Sequence, residues 1–172
     1  LYKKILITRE HGILRKKYWW DYDVIEPSLN FRMSELQAAL GVSQIKKIFK
    51  FIKFRRKVAK IYDEELKNIN MLKIPKKINC THSYHLYPIL IDFKKLRKTK
   101  KNLFQKFLKN NIKLQVHYKP THLFSYYSKK YKNNLKFAEI FFKEELSLPM
   151  FFNLKKKDIY KVIKILKNFI LK

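Results

Sequence analysis

Cysteine is nearly absent. Cys80 stands alone among 172 residues, which excludes an internal disulfide and a cysteine-built zinc site. Long apolar runs are missing too. The uncharged stretch from Cys80 to Ile91 is too short to cross a bilayer, and no signal-peptide pattern is visible. A reducing, cytoplasmic setting is the default expectation. Acid is scarce, with 13 Asp and Glu against 41 Lys and Arg, for a formal net charge of +28. Arginine is scarce as well, supplying six of those 41, and there are two glycines, Gly12 and Gly41.

A charge of this size points first to nucleic acid or an anionic surface. The kind of base weakens that expectation. Arginine is the better reader of bases and phosphates, and here 35 lysines run through every segment instead of forming a patch. Ile, Asn, Phe and Tyr are enriched beside Lys, while Gly, Ala and Pro are few. That is the codon bias of an A/T-rich genome. A basic nucleic-acid-binding module stays as an alternative, one that requires tight, salt-sensitive and sequence-selective binding.

What the chain does hold is enough apolar material for a globular core. It is 47% hydrophobic and 16% aromatic, and a domain of this size buries about 70% of its unfolded surface. The first residue is Leu, and LYKKILITREHGI reads as the end of a helix and a His-Gly turn. An N-terminal part is therefore expected to precede it.

The stretch from Asn30 to Ile48, NFRMSELQAALGVSQIKKI, organises the rest. Ser34 and Gln37 are spaced for a capping box. Leu36, Ala39, Leu40, Val42, Ile45 and Phe49 then recur at helical spacing. Small Ala38, Ala39 and Gly41 leave room for a neighbour to approach, and Gly41 inside a helix costs about 1 kcal/mol against Ala, so a packing reason is expected. Ahead of the cap, Asn30 and Arg32 are phosphate-binding candidates. A helix N-terminus offers free N–H groups, Asn donates hydrogen bonds, and Arg grips a phosphate with two at once. The plainer alternative is that Asn30 caps its own turn and Arg32 is a solvated charge.

Around this stretch the spacing predicts a helix over residues 1–10, with Gly12 as its C′ residue. A loop follows over 13–29, its aromatics Tyr18, Trp19, Trp20 and Tyr22 expected to pack on a core. Helices are predicted over about 34–49 and 51–69, the second with Phe51, Phe54, Val58, Ile61, Tyr62 and Leu66 as an apolar stripe. Two such helices in series would span roughly 50 Å, which suits a chain crossing between domains. Residues 70–82 read as a polar connector. Residues 83–92 read as a strand that Pro88 demotes to an edge or a bulge.

A helix over 99–110 buries Leu103, Phe104, Phe107 and Leu108 and ends at Asn110 and Asn111. Residues 112–118 alternate as a strand, with Ile112, Leu114, Val116 and Tyr118 on one side and Lys113, Gln115 and His117 on the other. An aromatic turn follows at 124–127. The last helices are predicted over about 134–146 and 155–171, separated by a short LSLP segment. The closing helix buries Ile159, Val162, Ile163, Leu166, Phe169 and Ile170. The fold class expected is α/β, with an α+β small domain whose helices cover one face of a sheet.

The densest polar cluster is His117-Tyr118-Lys119-Pro120-Thr121-His122. A His and a Tyr at a strand end can bind sugar hydroxyls or pass a proton. A surface His beside a core Tyr is the structural alternative. No metal site is expected. His82 and His85 would face opposite ways on a strand, and His11 is isolated. No strained nucleophile turn supports a Ser-His-Asp set.

NFRMSELQAALGVSQIKKI, FRRKVAKIYDEEL, SYHLYPIL, IKLQVHYKPTH and EELSLP follow one another along nearly the whole chain. In that order they resemble the DegT/StrS family of pyridoxal-phosphate-dependent sugar aminotransferases, on the side of its pseudaminic acid pathway members. The resemblance implies the C-terminal part of a fold-type I enzyme. Residues 1–33 would be the tail of the large domain and entry loop, 34–70 the interdomain helices, and 71–172 the small domain. It implies a homodimer with shared sites, glutamate as amino donor, and a 4-keto nucleotide sugar as acceptor.

Carried over by motif, Asn30 would contact the cofactor phosphate of the neighbouring subunit, Arg32 would sit near that site or the sugar nucleotide, and His117 and Tyr118 would line the sugar pocket. Two departures stand out. Ser28 occupies a position where the family has Gly, and it would be strained if a positive φ is needed there. The cofactor-anchoring lysine precedes a glycine-rich segment in the family, and none of the 35 lysines here has that context. The chain is therefore expected to be inactive alone, and an inactive remnant or a partner that lends Asn30 to another subunit is a further alternative.

Overall fold

Gly12 is where the first segment of the chain is tied together. Its φ is +73°, and a Cβ there would lie 1.8 Å from the Glu26 carbonyl oxygen, so only glycine fits. The computed structural model describes residues 1–18, 20–76, 80–129 and 135–171. It divides into two compact units, Leu1–Ile48 and Phe49–Lys172.

In the first unit, helix α1 (Tyr2–Thr8) stops before residue 10, and Gly12 lies beyond its cap, donating its N–H to the Ile7 carbonyl at 3.1 Å. The expected loop over 13–29 is instead a hairpin. Strands β1 (Ile13–Arg15) and β2 (Tyr22–Val24) pair antiparallel, with Leu14 opposite Asp23. Three-residue strands with apolar and charged side chains mixed on both faces leave no period to read. Tyr18, Trp20 and Tyr22 are each more than half exposed, so they do not pack on a core here, and Tyr18 and Trp20 stack on each other at 5.1 Å. Trp19 lies outside the described residues. Ser28 donates to the Thr8 carbonyl and does not have a positive φ, so the expected strain is absent.

Helix α2 (Glu35–Ile45) starts at the capping box, formed in both directions between Ser34 and Gln37. None of its residues is buried. Leu36, Leu40 and Ile45 are largely exposed, and nothing lies within 4 Å of a Cβ placed on Gly41. The packing expected against this stripe is not made within the described residues.

The second unit carries the core. Helix α3 (Ile48–Leu66) buries Val58, Ala59, Tyr62 and Leu66. Strands β3 (Leu72–Lys73), β4 (Tyr87–Ile91) and β5 (Glu145–Leu148) form an antiparallel sheet in that order. β3 falls inside the expected connector, whose residues 77–79 lie outside the described ones. Helix α4 (Lys100–Leu108), capped by Thr99, buries Leu103 and Phe107, whereas Leu108 is exposed. Asn111 closes it with φ +60°, a conformation Asn tolerates. A 3-10 turn (Thr121–Leu123) and the short helix α5 (Ser125–Ser128) lead to α6 (Lys136–Glu144). Residue 134, the expected start of that last helix, lies outside the described residues. Helix α7 (Lys156–Ile170) buries all six predicted positions and Ile165 as well. Each large apolar side chain so buried contributes about 1.5–3 kcal/mol.

Three expectations for this unit are corrected. Pro88 sits in the central strand, not at an edge. Its partner Ser147 donates its N–H away from β4, to Gln115, so the nitrogen of Pro88 faces the β3 side. There β3 pairs only with Leu90 and Ile91, and no ladder bond is lost. The strand predicted over 112–118 shrinks to one bridge, Gln115 to Ser147. Leu114 is buried but Tyr118 is 72% exposed, so the alternation fails at its end. The helix predicted to run to 146 stops at Glu144, because Glu145–Leu148 pairs with β4.

Candidate functional site

The four predicted residues fall in both units. Asn30 and Arg32 stand on the entry loop of the first, which is held by a bridge between Glu10 and Asn30. Asn30 Oδ1 accepts the Arg32 backbone N–H at 3.3 Å, so its amide NH2 is the part left to donate. The Arg32 Nε lies 3.3 Å from Glu10 Oε1, and Arg15 reaches the other oxygen at 3.8 Å. Two of the α2 N-terminal donors are used by the capping box: Gln37 N–H gives to Ser34 Oγ, and Ser34 N–H gives to Gln37 Oε1. Glu35 occupies the first turn and opposes a second anion there. Capacity for a phosphate on this loop therefore rests on the Asn30 amide and the free edge of Arg32.

His117 belongs to the second unit and is anchored at two points by β5. Its backbone N–H donates to Glu145 Oε2 at 2.9 Å, and its Nδ1 lies 2.8 Å from Ser147 Oγ. The Ser147 hydroxyl donates to Glu145 Oε1 at 2.8 Å. Glu145 is fully buried, a costly place for a carboxylate unless its oxygens are satisfied, and here both are. Lys100 adds a favourable charge interaction with it, while burial pushes the ammonium below the usual lysine range.

His117, Ser147 and Gln115 line a cavity of about 470 Å³ together with His85, Asp158 and Lys161. Tyr118 is not among its lining residues; its ring stands edge-on to His117 at 4.8 Å and faces outward. His122 turns away to Glu139, at 3.3 Å. Of the predicted pair, the structure brings only His117 to the cavity.

Glu145 and Ser147 were not singled out from sequence. The signal was present in EELSLP: two polar residues at i and i+2 share one face of a strand. Reading Glu144 and Glu145 as a helix end hid it.

The sequence profile of the DegT/DnrJ/EryC1/StrS aminotransferases matches residues 1–167. A UDP-4-amino-4,6-dideoxy-N-acetyl-beta-L-altrosamine transaminase of Campylobacter jejuni is 40% identical over 160 residues, which cover 92% of this chain and 42% of that protein. The solved structure of Helicobacter pylori PseC, an aminotransferase involved in the biosynthesis of pseudoaminic acid, superposes with a TM-score of 0.82 at 32% identity, covering 99% of this chain and 46% of that one. The PLP-form of a putative sugar aminotransferase from Streptococcus pneumoniae superposes at 0.79 with 25% identity, over 98% of this chain and 43% of that one. The chain thus spans somewhat under half the length of the relatives it matches. On its ordered motifs, its profile match and its fold, this chain belongs to the DegT/DnrJ/EryC1/StrS aminotransferase family.

Proposed function

We propose that this chain is the C-terminal portion of a pyridoxal-phosphate-dependent aminotransferase that moves an amino group from glutamate to a 4-keto nucleotide sugar, in surface-glycan biosynthesis of the pseudaminic acid type. The observation that carries it is the likeness, over nearly the whole chain, to the Campylobacter transaminase and to Helicobacter PseC. The working enzyme is a cytoplasmic homodimer with sites shared between subunits. No helix among the described residues is long and apolar enough to cross a membrane, which is compatible with that setting. Residues 1–33 finish the large domain, 34–70 link the domains, and 71–172 form the small one.

Pyridoxal phosphate, when bound, supplies the electron sink and the amino-group carrier that such a transfer needs. The residues present fit one edge of such a site. The Asn30 amide, with its oxygen already engaged by Arg32 N–H, offers two N–H donors to a phosphate of the neighbouring subunit. Arg32, half-neutralised by Glu10, adds positive charge near the phosphate or the sugar nucleotide. His117 binds the sugar in its cavity, and Tyr118, exposed beside it, closes on the sugar from outside. The lysine that anchors the cofactor precedes a glycine-rich segment in the family, and with only Gly12 and Gly41 the chain has no lysine in that context.

Reading the coding DNA that precedes residue 1 tests this. An in-frame lysine followed by a glycine-rich segment supports an enzyme. A stop codon there leaves a remnant, or a subunit that lends Asn30 to another protein, and overturns the proposal.

A further inference from the structure

The geometry points to a relay in which Glu145 and Ser147 hold His117 with its proton on Nδ1, so that Nε2 faces the ligand as a bare hydrogen-bond acceptor. The Ser147 oxygen makes two short contacts with a single hydroxyl proton to share between them. That proton goes to Glu145 Oε1 at 2.8 Å. The second short contact of the same oxygen, 2.8 Å to His117 Nδ1, then needs its proton from the ring. An imidazole that donates from Nδ1 carries a lone pair on Nε2 when neutral.

The carboxylate sets the direction of the relay, and the His117 backbone holds that carboxylate in place. As a carboxylate Glu145 only accepts: Oε2 takes the His117 N–H at 2.9 Å and Oε1 takes the Ser147 proton at 2.8 Å. The Lys100 ammonium, which interacts with Glu145 electrostatically, favours that state. Glu145 and Ser147 lie on one strand two residues apart, pinned by pairing to Leu90 and Pro88. The serine is held a second time, by its own N–H to Gln115. Nε2 has no hydrogen-bond partner among the described residues, and His117 lines the cavity of about 470 Å³. The group it recognises is therefore a donor, a hydroxyl or ammonium hydrogen. An acceptor such as a keto or phosphate oxygen would be refused.

Glu145 and Ser147 are positioning residues in this scheme, since they act through His117. The consequence for the ligand rests on His117 serving the sugar pocket of the aminotransferase; the tautomer itself does not. The test is nitrogen-detected NMR of the 15N-histidine-labelled chain near pH 8, above the usual imidazole range of about 6.5, with the His117 signals identified by their loss in H117Q. The wild-type chain should show a protonated Nδ1 and a bare Nε2.

The variant E145Q makes a sharper demand. Its carboxamide oxygen must stay on the His117 N–H, so its NH2 turns to Ser147. The serine proton then goes to Nδ1, and the ring proton moves to Nε2. The expected result is a reversed tautomer in E145Q, a mixed one in S147A and the wild-type pattern in S147T. A wild-type ring protonated on Nε2, or one tautomer shared by wild type and a folded E145Q, would overturn the relay. The wild-type spectrum decides the first point even if no variant folds. A confirmed tautomer with no effect of sugar ligands on the Nε2 shift would leave the relay standing and count against the sugar-pocket assignment alone.

Discussion

The Tyr87 hydroxyl donates to Asp63 Oδ1 at 2.6 Å, joining the central strand to α3 inside the core. Tyr62, one residue before that aspartate, gives its own hydroxyl to the Pro149 carbonyl at 3.0 Å. Burial pushes both phenols well above the usual tyrosine range. For Tyr87, the hydrogen bond to Asp63 and the negative charge of that aspartate push further the same way. The unfolded phenols ionise near pH 10, so their contribution to stability is fully present below that pH. It is lost as the pH climbs toward the folded values. Lys100, lowered by burial, works in the opposite sense, since the unfolded chain binds its proton more tightly. Tyr84 is raised as well, chiefly by burial, and with three tyrosines against one lysine urea midpoints are expected to fall above about pH 10. In Y87F the fall should be shallower, and the neutral-pH stability lower by about 1–3 kcal/mol, because the buried Asp63 carboxylate loses its donor. Midpoints that stay level from pH 8 to 11 would contradict this.

The two glycines should respond in opposite directions. Gly41 is helical with open space around it, so G41A should stabilise by about 0.5–1 kcal/mol. Gly12 has a positive φ and the Glu26 carbonyl in the way, so G12A should cost about 2 kcal/mol or more and loosen the first unit. Chemical denaturation of both variants, with hydrogen exchange at the β1–β2 hairpin, checks the pair.

Those glycines also mark what could and could not be read from sequence. The capping box at Ser34 and Gln37 was legible because it depends on side chains three residues apart. The buried face of α7 was legible because six apolar residues keep a helical period over four turns. The pairing of β1 with β2 was not, since these short strands are held largely by backbone bonds. Pro88 misled because its tolerance depends on where β3 stops, which is a fact of register. His117 could be picked out from its motif, but its environment could not. Glu145 and Ser147 reach it across 28 and 30 residues, and no local pattern records a contact of that range.

Removing the buried carboxylate should be expensive. In E145A the His117 N–H and the Ser147 hydroxyl lose their shared acceptor, at about 1–3 kcal/mol for each buried group left unpaired. A loss of roughly 2–4 kcal/mol is expected from urea denaturation, with a smaller loss in E145Q, which keeps one acceptor. Equal losses in the two variants would mean that Glu145 matters for its bulk and not for its bonds.

The lysine charge should act as a diffuse background. Binding to DNA or RNA is expected to be weak, indifferent to sequence, and gone by physiological salt in a titration from low to moderate ionic strength. Sequence discrimination that survives physiological salt would favour the nucleic-acid alternative.

The central claim is best tested by giving the chain what the family places before it. The 172 residues would be joined to the preceding portion of Helicobacter PseC and assayed with glutamate and a UDP-linked 4-keto sugar. Glutamate-dependent amino transfer to the sugar is expected, lost in the N30A version and in a version lacking the PseC portion. A chimera that dimerises and binds pyridoxal phosphate yet transfers no amino group would contradict it.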